Sequence, residues 1–308
     1  MVTTRIPTPS HDKAPFSSIA IVGLGLIGGS IALGVRERWP SSRVIGVDTD
    51  AVVAHALGSG AIDRAVGSVA ALPEASLIVL AAPVRQNIDL LQQLARRKGQ
   101  SVVTDVGGTK REIVKAARVL PPPTTFVGGH PLGGGERGGF AFARPDLFAG
   151  RPWIFTPEGD GSADAVERLS RFVAGLGARP SIVSPEEHDR LMAFLSHLPQ
   201  LTASALMDTV GSATRGEGLR MAGRGLVDTT RLASSPADVW RDICLTNADT
   251  IGEALDCLIQ RLTQLRGDLQ RGEAIESIFT AAAQWRSELV KEPDKTQSQN
   301  PNTQVPNT

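Results

Sequence analysis

Ser18-Ile19-Ala20-Ile21-Val22-Gly23-Leu24-Gly25-Leu26-Ile27-Gly28 is the stretch that decides the fold of the first half of this chain. A run of β-branched residues feeds a glycine turn, and the turn opens onto a helical pattern. A second strand pattern over 43–47 ends on Asp48, 20 residues past the last glycine. That order reads as a nicotinamide-dinucleotide site. Gly23 permits the tight turn, Gly25 lets the backbone approach a pyrophosphate, and Gly28 lets the helix pack closely on the strand. Leu24, Leu26 and Ile27 complete the turn, so the helix's unpaired N–H groups and positive end face the phosphates. Asp48 would accept a hydrogen bond from a ribose hydroxyl and repel a 2′-phosphate. Thr49 and Asp50 offer no cation to receive one, so NAD is expected rather than NADP.

Outward from this turn, short apolar runs alternate with helical patterns as far as about residue 184. Strands are predicted at 18–22, 43–47, 77–81, 101–105, 125–128, 153–156 and 179–183, with helices at 26–38, 85–98, 109–119 and 162–176. Such alternation argues for a mostly parallel sheet covered on both faces. From Pro185 the strand patterns vanish and long helical periodicities take over, at roughly 185–210, 236–265 and 270–290. The expected fold class is therefore α/β, a Rossmann-type domain over 17–184 followed by an all-helical domain over 185–290. The apolar residues of that helical half spread widely around its helices, which predicts a homodimer interface. Residues 1–16 and 291–308 are expected to be disordered, the latter being polar, proline-containing and free of aromatics.

Composition narrows the partners. Lys plus Arg equals Asp plus Glu at 32 each, so no global field draws the chain to nucleic acid or an anionic membrane. The N-terminal residues lack the apolar core of a signal peptide, and no apolar run has the length of a membrane span. Cys244 and Cys257 form no CxxC or Cys/His cluster, which suits a reducing, cytoplasmic setting and no metal site.

In open α/β sheets ligands lie beyond the carboxyl ends of the strands, which directs attention to three loops. Ala82-Pro83-Val84 follows one strand with small residues able to border the cofactor. Asp105 ends another and leads into Gly107-Gly108-Thr109-Lys110. The third holds His130, where seven of the twelve residues from 128 to 139 are glycine and bring backbone amides close to a substrate. An imidazole there takes and releases a proton near neutral pH. Further along, His197 and Gln200 stand three apart on one helical face, and His188 with Asp189 reads as a pair at a helix start.

Gly128-Gly129-His130-Pro131, Glu187-His188-Asp189, Ser196-His197-Leu198-Pro199, and Asp228-Thr229-Thr230-Arg231 followed by Trp240-Arg241-Asp242-Ile243 together resemble the prephenate/arogenate dehydrogenase family of tyrosine biosynthesis. The resemblance spans about residues 18 to 285. It implies oxidative decarboxylation of a cyclohexadienyl acid: a base removes the ring hydroxyl proton, hydride leaves the same carbon for NAD, and carbon dioxide departs as the ring becomes aromatic. By resemblance His130 is the base and Arg231 binds a substrate carboxylate, a role its planar fork suits. Gly108, Thr109, Gly135, His197 and Gln200 fall at the implied substrate pocket. Trp240 is expected to pack beside the site, with Glu136 and Asp228 as acids able to pair with Arg231. Two departures stand out. Gly108 replaces a serine of many relatives, leaving Thr109 as the neighbouring hydroxyl, and Gln200 stands where many prephenate-using members have histidine. The implied substrate is prephenate, with arogenate or dual use as the alternative. An imine or β-hydroxyacid reductase of the same plan would place a lysine in the helical half, yet residues 185–290 contain none. A non-enzymatic NAD-sensing protein is the other rival reading.

Overall fold

The computed structural model describes residues 13–135 and 137–291. Glu136 and most of both expected disordered termini lie outside them. At the N-terminal end order begins before residue 17, because Phe16 is buried in the core. It packs edge-on against Phe172 and under the Arg168 guanidinium.

Eight strands form one sheet: β1 (Ser18–Val22), β2 (Arg43–Val47), β3 (Arg64–Ala65), β4 (Leu77–Leu80), β5 (Val102–Asp105), β6 (Thr125–Pro131), β7 (Pro152–Pro157) and β8 (Arg179–Ile182). Their order is β3-β2-β1-β4-β5-β6-β7-β8, and every pairing is parallel except the antiparallel β6–β7 pair. Successive side chains alternate across the sheet, so Ile19, Ile21, Leu77 and Val79 enter one apolar cluster while Ala20, Val22, Ile78 and Leu80 enter the other. Two buried faces explain why these strands read as continuous apolar runs. The covering helices are α1 (Leu26–Arg38), α2 (Asp50–Gly58), α3 (Val84–Leu94), α4 (Arg111–Ala117) and α5 (Ala163–Gly175).

The chain continues through α6 (Pro185–Met192), α7 (Leu198–Thr214), α8 (Arg224–Thr229), α9 (Ala237–Thr246), α10 (Ala248–Asp268) and α11 (Glu273–Val290). The described residues divide into two compact units, the first reaching Ala254 and the second beginning at Leu255. Helices α6 to α9 thus share a unit with the sheet. In the second unit Ile259, Leu262, Phe279, Trp285 and Leu289 are exposed.

Several elements differ from the sequence reading. Helix α2 and the short β3 were not expected. The periodicity over 185–210 is interrupted by a widened π turn, Ala193–His197, just before Pro199, which has no N–H to continue the ordinary ladder. The one over 236–265 breaks at Asn247. Strand β6 runs three residues beyond its expected end, so His130 sits within it, opposite Ile154, and not in the loop beyond.

Candidate active site

The dinucleotide turn has the backbone its glycines foretold. Gly23 has a φ of +94°, and a Cβ there would lie 2.7 Å from the Ala81 backbone. A Cβ on Gly28 would lie 1.9 Å from the Gly23 carbonyl oxygen, so any side chain would force α1 off β1. A Cβ on Gly25 would meet nothing within 4 Å. That open space leaves room for the close approach of a pyrophosphate. Gly25 is also the N-cap of α1, with no side-chain cap and no acid in the first turn, so the leading N–H groups remain for an anion.

Asp48 ends β2 and accepts from Leu24 N at 2.6 Å through one oxygen and from Thr49 N at 2.7 Å through the other. It closes the turn while staying at the rim of a cavity of about 650 Å³ lined by Gly23, Gly25, Asp48, Ser68, Ala82 and Pro83, among others. These residues fit NAD: an open glycine backbone, a helix N-terminus and an acid at the ribose position. Leu24, Gly28 and Val84 are buried beneath this surface, and Leu26 and Ile27 are partly buried at the start of α1. Gly135 reaches the same place, where its Cβ would lie 3.1 Å from Leu26 Cδ2, so the glycine-rich loop lies against the first turn of the cofactor helix.

Asp105 is a correction. Expected to face the cofactor, its carboxylate is completely enclosed and accepts from Gly107 N at 2.8 Å, Gly129 N at 3.1 Å and Lys110 Nζ at 2.5 Å. Lys110 also donates to the Gly129 carbonyl at 2.7 Å. The pair therefore clamps both backbone groups of the residue before His130. Burial pulls the Lys110 ammonium below its usual range, and Asp105 opposes that pull. Sequence reasoning missed Lys110 as a site residue; the available signal was an acid at a strand end with a lysine five residues on.

His130 projects from β6 into a cluster of histidines. Its Nδ1 lies 2.8 Å from His188 Nε2, and His188 Nδ1 lies 2.8 Å from Asp189 Oδ1. His188 and Asp189 are fully buried on α6, whose start is fixed by Pro185 in the first turn and by Ser184 Oγ accepting from Glu187 N. Burial pushes the His130 imidazole well below its ordinary value, and His188, Lys110 and His197 act in the same direction. It is neutral at pH 7.

His197, in the π turn, is also buried, and burial lowers it to about 4. It bonds the backbone of Gly108 and lies edge-on to Trp240, 6.0 Å between ring centres. Gly108 has ordinary room for a side chain, its Cβ position being 3.5 Å from Ile243. The neighbouring Thr109 hydroxyl is turned to Thr246 Oγ1 at 2.7 Å, away from the part of a replacement serine.

Gln200 is buried, with both ends of its amide engaged: Nε2 donates to the Leu232 carbonyl at 2.7 Å, and Ser235 Oγ donates to Oε1 at 3.0 Å. It holds the 3₁₀ turn Arg231–Ser234, which presents an exposed Arg231. Among the described residues no group of His, Cys, Asp and Glu is arranged to hold a metal ion, and no helix is long and apolar enough to cross a membrane.

This constellation can be compared with known proteins. Residues 31–182 match the family model of the prephenate dehydrogenase nucleotide-binding domain, and residues 184–281 match that of the prephenate dehydrogenase dimerization domain. The chain belongs to the prephenate dehydrogenase family. It is 38% identical over 269 residues to prephenate dehydrogenase of Bacillus subtilis strain 168, covering 85% of this chain and 72% of that one. To cyclohexadienyl dehydrogenase of Zymomonas mobilis it is 32% identical over 259 residues, 82% of this chain and 88% of that one. Among solved structures, Aquifex aeolicus prephenate dehydrogenase in complex with hydroxyphenyl propionate and NAD+ superposes with a TM-score of 0.82 at 29% identity, covering 89% of this chain and 98% of that one. The two family models match in the order expected, a nucleotide-binding domain followed by a dimerization domain.

Proposed function

We propose that this chain catalyses the NAD-dependent oxidative decarboxylation of prephenate to 4-hydroxyphenylpyruvate, a step of tyrosine biosynthesis. The observation that carries the reading is His130: a partly buried, neutral imidazole near the carboxyl edge of the sheet, in a family whose solved member holds NAD+ and a hydroxyphenyl acid. NAD, when bound, accepts the hydride from the ring carbon that carries the hydroxyl. His130 takes the hydroxyl proton as that carbon becomes a carbonyl-like centre, and loss of the ring carboxylate as carbon dioxide restores aromaticity. The protein supplies a base, a fixed geometry and a cation. Arg231 provides the cation for a substrate carboxylate, on a turn held by Gln200.

Prephenate is preferred to arogenate because the Bacillus subtilis and Lactococcus lactis relatives are both prephenate dehydrogenases. Two copies are proposed to pair through the helical half, supported by the dimerization-domain match and by the exposed Phe279, Trp285 and Leu289. The free thiols of Cys244 and Cys257 suit the cytoplasm. Initial rates with prephenate and arogenate, each with NAD and NADP, test the proposal. NADH formation fastest with prephenate and NAD is the expected result. Tight NAD binding with turnover of neither acid would refute it.

A further inference from the structure

The hydrogen bond between His130 Nδ1 and His188 Nε2 needs one proton, so one of the two nitrogens must be bare. Asp189 decides which. Its carboxylate has no exposure and accepts from Lys110 N at 2.7 Å, Arg111 N at 2.9 Å and Arg111 Nε at 3.3 Å, besides facing His188 Nδ1. Burial works against its ionisation, but the bonds from His188, Arg111 and Lys110 outweigh burial and hold it below the usual carboxylate range. An ionised carboxylate only accepts, so the proton of that contact belongs to His188 Nδ1. Burial keeps His188 itself neutral at pH 7, against the pull of Asp189. Its Nε2 is therefore bare and accepts from His130 Nδ1–H. The remaining nitrogen of His130, Nε2, carries a lone pair.

We infer that His188 and Asp189 are positioning residues that fix His130 in the one tautomer able to accept the substrate's hydroxyl proton at Nε2, and that steady the imidazolium so formed. This rests on the function proposed above. The hydroxyl O–H breaks as Nε2–H forms, the hydride goes to NAD, and the electrons of the carbon–carboxylate bond enter the ring as carbon dioxide leaves. No proton has to cross to Asp189; the imidazolium keeps Nδ1–H on His188 and returns its Nε2 proton to the ring oxygen, which loss of carbon dioxide leaves as a phenolate. The other titratable groups around the pair are Lys110 and Asp105 from the β5 side, Arg111 from α4 and His197 from the π turn, the last neutral at pH 7. Orientation of the base thus comes from α6, which answers the absence of a hydroxyl at Gly108 and the turning away of Thr109.

Nitrogen NMR of the full chain labelled with ¹⁵N-histidine, with NAD bound and at neutral pH, reads the tautomer directly. Among five histidines, the resonances lost in His130→Asn identify the base. They are expected to show a protonated Nδ1 and a bare Nε2. His188→Leu is expected to abolish that signature and lower kcat by roughly a hundredfold, leaving NAD affinity unchanged. His188→Gln offers an acceptor to His130 and a donor to Asp189, and is expected to keep the signature and restore most of the rate. A wild-type His130 protonated at Nε2, or a His188→Leu protein with tautomer and kcat unaltered, would overturn the inference. If His188→Leu fails to fold, the wild-type and His188→Gln spectra still decide. The expected signature without turnover of prephenate or arogenate would uphold the tautomer assignment and remove the reaction instead.

Discussion

Lys110 and Asp105 form an ion pair with neither side chain exposed, Nζ standing 2.5 Å from Oδ2. Taking two charges out of water is costly, and the site offsets the cost by using every contact twice: Lys110 also holds the Gly129 carbonyl, and Asp105 also holds the Gly129 and Gly107 amides. Removing one partner strands the other. Lys110→Met is expected to lower stability by about 3–5 kcal/mol, the usual cost of leaving a buried charge unpaired. Denaturant titration measures this, and a change under 1 kcal/mol would mean that water or a shifted side chain replaces the ammonium.

His130→Asn is expected to reduce kcat by about two or more powers of ten, the scale of a lost general base, with NAD affinity unaltered. Isothermal titration with NAD and steady-state rates on the same preparation separate the two effects. An unchanged kcat would exclude His130 from proton transfer.

Arg231→Ala removes a charge-assisted bond worth about 1.5–3 kcal/mol, so KM for prephenate is expected to rise roughly ten- to a hundredfold. Gln200→Ala should raise it several-fold, because the amide locates the arginine's turn through Leu232 and Ser235. KM for NAD should move in neither. If Gln200→Ala alters the choice between prephenate and arogenate and leaves KM untouched, the glutamine reads the substrate and not the turn.

The depressed imidazoles also set a pH dependence. His197 titrates near 4 in the fold, against about 6.5 for an unperturbed histidine, and His130 and His188 are lowered as well. The folded chain therefore binds fewer protons than the unfolded chain below about pH 6.5, and stability falls as pH drops from there through about 4. The melting temperature is expected to be lower at pH 5 than at pH 7 by several degrees. For catalysis the same sign holds: kcat/KM should stay level through neutral pH and decline only in acid, where His130 gains its proton. A decline that begins above pH 7 would contradict a depressed base.

The cofactor half was legible because each glycine answers a local backbone demand: Gly23 needs a positive φ and Gly28 a close helix contact, both visible as spacing within one turn. His130 was legible as a residue type near a strand end. Lys110 was not, because a lysine in a polar loop looks solvated, and only the fold returns its ammonium to Asp105 and Gly129. His188 was read as part of a helix-start pair, yet nothing along the chain places it against a residue 58 positions earlier. The partners of Gln200 were not legible for the same reason: periodicity gives a helix face, while the groups that meet it, the Leu232 carbonyl and Ser235, are set by where the Arg231 turn packs. The breaks at Pro199 and Asn247 were hidden inside apolar periodicities that continue on both sides.

A crystal structure of this chain with NAD and 4-hydroxyphenylpropionate bound tests the role of His130 most directly. His130 Nε2 should lie within hydrogen-bond reach of the phenol oxygen, about 2.6–3.2 Å, with the carbon bearing that oxygen facing the nicotinamide. An imidazole turned away from the phenol, or a nicotinamide ring remote from it in the fully liganded enzyme, would contradict the mechanism.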